Sequence, residues 1–119
     1  MIQKETYTIN EVLDNVIPYN GQKHYVDYDG DLMKMESQRY RLFKRDGTTC
    51  VVCKSVGTFF RKEKDKNCPT YHFNLYGIID GEDRLFTKDH FIAKSKGGKN
   101  VMSNYVVMCS KCNHEKGNK

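Results

Sequence analysis

Two Cys-x-x-Cys pairs, Cys50/Cys53 and Cys109/Cys112, bracket residues 54–108 of a 119-residue chain. A two-residue gap lets both thiolates of a knuckle reach one ion about 2.3 Å away, and two knuckles complete a tetrahedron. Four soft thiolates suit Zn2+ and leave no open position for substrate, so such a site is structural. It would tie the middle of the chain to its end. With 38% hydrophobic and 29% charged residues and a mean hydropathy of −0.76, this one-domain length carries a modest core, and chains of this size often need a staple. A redox Cys-x-x-Cys follows a strand in a βαβ frame, which neither pair has. Cys68, beside Pro69 in a polar stretch, reads as a free thiol with no role.

No run approaches about 18 apolar residues, so no membrane-spanning helix is expected. The start, MIQKETYTINEV, lacks a basic stretch followed by an apolar run, so the expected address is cytoplasmic, with no membrane partner. There, cysteines are metal ligands or free thiols more often than disulfides.

The formal charge of +5 is unevenly spread. Residues 1–36 hold 3 basic and 7 acidic side chains, residues 37–83 hold 9 and 6, and residues 84–119 hold 8 and 2. The C-terminal third therefore carries +6 (8 − 2), as a surface that meets phosphates would.

The pattern predicts an α+β chain of short elements. Thr6–Ile9 and His24–Tyr28 alternate as strands, with turns at Asn20-Gly21 and Asp29-Gly30. Asn10–Ile17 reads as a helix stopped by Pro18, and Met33–Asp46 as an amphipathic helix stopped by Gly47. Phe59-Phe60 reads as a strand running into a surface loop over 61–67. His72–Ile79 and Arg84–Ile92 flank a four-residue turn, Asp80–Asp83. Lys94–Asn100 reads as a glycine-containing loop, Tyr105–Met108 as a buried strand, and Ser110–Lys116 as a helix that Gly117 ends.

Between the cysteine pairs lies Thr87-Lys88-Asp89-His90-Phe91-Ile92-Ala93-Lys94-Ser95-Lys96-Gly97-Gly98-Lys99-Asn100. Ser103-Asn104-Tyr105-Val106-Val107-Met108-Cys109 follows, and then Cys112-Asn113-His114-Glu115-Lys116-Gly117. Upstream, Arg41-Leu42-Phe43-Lys44-Arg45-Asp46-Gly47 runs into Cys50. Together these stretches resemble the HNH endonucleases. An Asp-His pair alone is an ordinary surface dipeptide; five elements in order are not. The resemblance covers residues 37–119 as a nuclease domain and leaves 1–36 as an acidic extension packed on it or meeting a partner chain. It implies a ββα-metal core with zinc knuckles, to which further short antiparallel strands are added.

The resemblance also implies roles. His90 matches the general base, since a neutral imidazole can take a proton from water near pH 7. Asp89 matches a metal-binding carboxylate, and Asn113 the second protein ligand on the last helix. Adjacent strand residues point to opposite sides, so a bend or bulge is expected to bring Asp89 and His90 into one site. Asn104 matches the residue that ties the loop and fixes the histidine backbone. Many members carry His where this chain has Asn113, and an Asp/Asn pair suits Mg2+ or Mn2+. Lys94, Lys96, Lys99 and Lys116 are expected to meet the phosphates of double-stranded DNA. The implied products are 5′-phosphate and 3′-hydroxyl ends. A single site nicks one strand, so double-strand cutting implies a homodimer.

His114 lies about 100° round the helix from Asn113 and is read as solvent-facing or touching DNA. His24 and His72 sit in strand-like stretches among aromatics and are read as structural. The alternative function is a non-catalytic, zinc-stapled nucleic-acid-binding module, which would need none of Asp89, His90, Asn104 and Asn113.

Overall fold

Turn chemistry sets the centre of the fold. Asp80 and Gly81 both have positive φ, 54° and 80°, as a two-residue turn of the hairpin type requires. The turn is therefore tighter than the four residues expected. The strand β5 (His72–Ile79) ends where the turn begins, and β6 (Glu82–His90) starts directly after it. Asp29 and Gly30, at 55° and 92°, make the same kind of turn between β2 (Tyr25–Tyr28) and β3 (Asp31–Lys34).

The computed structural model describes residues 1–116. The remaining elements are β1 (Ile2–Thr8), α1 (Ile9–Leu13), α2 (Gln38–Asp46), β4 (Phe59–Lys64), β7 (Tyr105–Cys109) and α3 (Ser110–Lys116). The end of α3 at Gly117 lies outside the described residues. β1, β4, β5, β6 and β7 form one antiparallel sheet in the order β1-β4-β5-β6-β7, and β2 and β3 pair as a separate hairpin. The chain is thus a small mixed α/β domain built on antiparallel sheets.

Alternation along the strands turns Tyr7, Phe60, Phe73, Leu75, Phe86, Val107 and Cys109 into one buried layer. Tyr40, Leu42 and Phe43 of α2 join that core. The first 36 residues supply Tyr7, Val12, Leu13, Val16, Tyr28, Met33 and Met35 to the same cluster. Tyr28 meets Phe73 edge-on at 4.8 Å between ring centroids, and Tyr7 meets both rings at 5.3 and 5.4 Å.

The first strand reaches back to Ile2 and the strand expected over Arg84–Ile92 runs Glu82–His90, and three further elements differ from the pattern-based expectation. The helix expected from Met33 begins only at Gln38, behind an N-cap in which Ser37 Oγ accepts from the Tyr40 N–H. Met33 and Met35 are both buried two positions apart, a strand period, and Met33 pairs with Val26. The first helix is shorter, Ile9–Leu13, with a Thr8/Glu11 capping box at its start. β4 continues through Lys64 where a loop was expected, because Lys62 and Glu63 are fully buried with polar partners. Lys62 Nζ lies 2.9 Å from Glu5 Oε2 and 2.8 Å from Asp31 Oδ2, and donates to the Tyr28 carbonyl. Glu63 Oε1 accepts from Asn74 and the Tyr76 hydroxyl. Part of the negative charge of the N-terminal third is therefore matched inside the molecule.

Candidate active site and metal centre

The two knuckles meet at the end of β7. Thr49 and Val56 pair across the first, and Val51 N–H donates to the Val107 carbonyl, which docks the knuckle on the sheet. One sulfur each from Cys50, Cys53, Cys109 and Cys112 all lie within 4.8 Å of one another. Metal–sulfur bonds of about 2.3 Å in a tetrahedron separate the sulfurs by about 3.8 Å, and Cys53 Sγ lies 3.8 Å from Cys109 Sγ. Cys112 N–H points at Cys109 Sγ at 3.5 Å. The Ser55 hydroxyl and backbone pull the Cys53 thiol down to about 6. Burial, reinforced by the neighbouring thiols, pushes Cys112 up to about 12. Four crowded thiols cannot all ionise together without a cation, and a soft divalent ion fits this donor set. Cys68 lies apart, with its sulfur on the Thr70 carbonyl.

β6 and β7 run side by side, with Asp89 opposite Val106 and His90 opposite Tyr105, and α3 packs against both strands. The pairing continues regularly through His90, so no bulge brings Asp89 and His90 to the same side. They are joined round the strand instead. Asp89 Oδ1 accepts from the His90 backbone N–H at 2.8 Å. Lys116 Nζ donates to the His90 carbonyl at 2.5 Å and lies 3.4 Å from Asp89 Oδ2. Asn113 is half-buried three positions earlier, on the same face of α3 as Lys116. Lys116, expected at a phosphate, has its ammonium on the His90 carbonyl and beside the Asp89 carboxylate.

The His90 imidazole is fixed by a residue the sequence reading gave no role. Its Nε2 lies 2.7 Å from the acceptor Asn100 Oδ1, so a neutral ring donates there and presents Nδ1 as its accepting nitrogen. Its ring meets Tyr105 edge-on, 5.2 Å between centroids. An asparagine at the end of a lysine-rich loop carries no signal of this contact in one sequence. Asn104 is 9% exposed and ties the loop three times. It accepts from Ile92 N–H at 2.8 Å and donates to the Ile92 and Lys99 carbonyls at 3.1 and 3.0 Å. Gly98 faces the Ile92 carbonyl so closely that no Cβ fits there. Lys94 and Lys96 lie in a single 3-10 turn, and these two and Lys99 are exposed beside the site. Arg45 fastens the far side, donating to the Met102 and Tyr105 carbonyls. His114 is exposed.

Asp89 offers a hard carboxylate and Asn113 a carbonyl oxygen, a donor set that suits a hard divalent ion. The Lys116 ammonium at Asp89 Oδ2 is a cation already drawn to that position.

Residues 79–119 match the HNH endonuclease family model. No curated protein and no solved structure is matched. The HNH match begins at the end of β5 and takes in Asp89, His90, Asn104, the second cysteine pair and Asn113. The first cysteine pair and the first two strands of the sheet lie outside it. A nuclease is what this match suggests, and nucleic acid is the partner it makes plausible. No helix among the described residues is long and apolar enough to cross a membrane.

Proposed function

We propose that this chain is a metal-dependent endonuclease acting on double-stranded DNA. In this reading β6, β7 and α3 form a ββα-metal unit, residues 37–119 are the nuclease domain, and residues 1–36 complete its sheet and core. Cys50, Cys53, Cys109 and Cys112 hold a structural Zn2+. The observation that carries the proposal is the fixed imidazole of His90, with Nε2 on Asn100 and Asp89 against its backbone, inside the family-matched segment.

The residues divide the work. His90 Nδ1, oriented by the Nε2 contact, accepts a proton from the attacking water. Asn104 holds the loop so that the imidazole keeps one orientation during attack. Asp89 and Asn113 would hold a Mg2+ or Mn2+ ion, which supplies charge neutralisation at the phosphate and at the departing 3′ oxygen. Lys94, Lys96 and Lys99 attract the backbone without reading sequence. Products are 5′-phosphate and 3′-hydroxyl ends. One protomer nicks, and a homodimer would cut both strands.

The Lys116–Asp89 contact favours a second reading, a zinc-stapled module that binds nucleic acid without cutting it, because the ammonium already neutralises the carboxylate. Supercoiled plasmid incubated with the chain and Mg2+ or Mn2+ separates the two. The nuclease converts it to nicked or linear form, and His90→Ala does not. A chain that shifts plasmid on a gel but never nicks it, across several divalent metals, is the binding module.

A further inference from the structure

The sheet is split beside the site. β5 pairs with β6 only from the turn to Leu75 opposite Phe86, so the stretches around Phe73 and His90 part company. Side chains close both edges. On β5, Arg39 Nη2 donates to the Phe73 carbonyl at 2.6 Å, and the Tyr40 hydroxyl accepts from the Phe73 N–H at 2.8 Å. On β6, Asp89 and Lys116 take the His90 N–H and carbonyl.

Near this split a cleft of about 470 Å3 opens, lined by Lys34, Arg39, His72 and Lys88 with Tyr40 and Tyr71. No carboxylate is among its described lining residues. Lys34 and Arg39 stand three permanent charges strong with Lys88. Their nearby offsets are few: Glu36 lies 3.7 Å from Lys34 Nζ, and Lys88 Nζ donates to the neutral Gln38 Oε1. Burial, and then the Arg39 charge, hold His72 below its ordinary value, with Glu63 and Asp65 acting the other way. This space disfavours another cation and favours an anion.

The cleft takes Lys88 from the same strand that carries His90. Lys88 and His90 are two positions apart on β6 and share a face. Tyr105 sits between them, its ring centroid 4.1 Å from Lys88 Nζ and 5.2 Å from the His90 ring. We propose that the cleft binds a backbone phosphate of the DNA strand whose scissile phosphate faces His90. The inference rests on the nuclease reading above. It gives residues outside the family-matched segment, Lys34 and Arg39, a share in substrate binding.

The test is the salt dependence of binding to a short duplex, measured by anisotropy on the full chain carrying His90→Ala so that substrate survives. Each lost phosphate contact lowers the slope of log affinity against log salt by about 0.9. Because the cleft holds one phosphate, Lys34→Gln and Lys88→Gln are each expected to lower it, by about 0.9 when combined. In the double variant the affinity lost between about 50 and 200 mM salt shrinks by about 3.5-fold. Lys88→Arg is expected to keep the slope, as is Arg84→Gln at the other end of β6. Melting temperatures of the variants establish that they are folded. An unchanged slope in folded Lys34→Gln and Lys88→Gln overturns the cleft, as does an equal fall in Arg84→Gln. Loss of inorganic phosphate binding with the DNA slope intact makes it a free-anion site and overturns it too. A wild-type chain that cuts plasmid while the double variant keeps its slope removes the cleft alone. A wild-type chain that neither binds nor cuts DNA removes the nuclease reading with it.

Discussion

The Asn104 carboxamide forms a two-way pair with the backbone of Ile92, accepting from its N–H at 2.8 Å and donating to its carbonyl at 3.1 Å. The loop that leaves His90 is thereby clamped to the residue that precedes β7. Asn104→Ala removes both bonds and the one to Lys99, and leaves backbone groups short of partners, at a cost of about 1–3 kcal/mol. Plasmid cleavage should fall further than DNA binding, because the lysines remain. Asn104→Asp should melt lower than Asn104→Ala at pH 7, since a carboxylate then faces the Ile92 and Lys99 carbonyls. The gap should narrow as pH falls into the carboxylate range and the acid gains a proton to donate. Equal melting of the two variants at both pH values would remove the clamp.

The Asn100–His90 contact predicts a graded loss of activity. Asn100→Ala frees the imidazole to turn and change tautomer, and should lower the cleavage rate by about 10- to 100-fold. Asn100→Asp keeps an acceptor for Nε2–H and should recover part of the rate. His90→Ala should abolish cleavage with zinc content and melting unchanged. If Asn100→Ala cuts at the wild-type rate, the contact does not set the imidazole's orientation.

What the sequence disclosed follows the kind of signal each residue sends. The cysteine spacing and the order Asp89-His90, Asn104, Cys109, Cys112, Asn113 are local patterns, and local patterns survive without coordinates. The glycine-bearing turns at Asp29-Gly30 and Asp80-Gly81 were legible for the same reason. Lys62 and Glu63 look like surface residues, and only the partners Asp31, Glu5, Asn74 and Tyr76, distant in sequence, make their burial tolerable. The split between β5 and β6 was invisible because it depends on Arg39 and Tyr40 reaching Phe73 from another element.

The four-cysteine cluster predicts one zinc per chain. It anchors α3 to β7, and α3 carries Asn113 and Lys116, so metal loss should lower stability and cleavage together. Cys109→Ser should lose zinc by elemental analysis and melt well below wild type. Cys68→Ser, whose sulfur lies outside the cluster, should keep both. A chelator-stripped chain with unchanged melting and unchanged cleavage would contradict the staple.

Lys62 predicts an acid limb in the stability profile. Burial opposes its ammonium, but the Asp31 and Glu5 carboxylates outweigh burial and raise its pKa. In return Lys62 holds both carboxyls below their ordinary value, with Lys4 assisting at each. A carboxyl depressed on folding stabilises fully above its unfolded value, about 4, and loses that contribution as pH falls through the folded value. Lys62→Met returns both carboxyls toward ordinary behaviour, so its unfolding profile should be flatter in acid than that of the wild type. Asp31→Asn should melt lower at pH 7 than Lys62→Met, because it leaves the buried ammonium with Glu5 as its one paired carboxylate, whereas the methionine removes the buried charge itself. The reverse order, or identical acid limbs in wild type and Lys62→Met, would show that the Lys62 cluster does not couple folding to protonation.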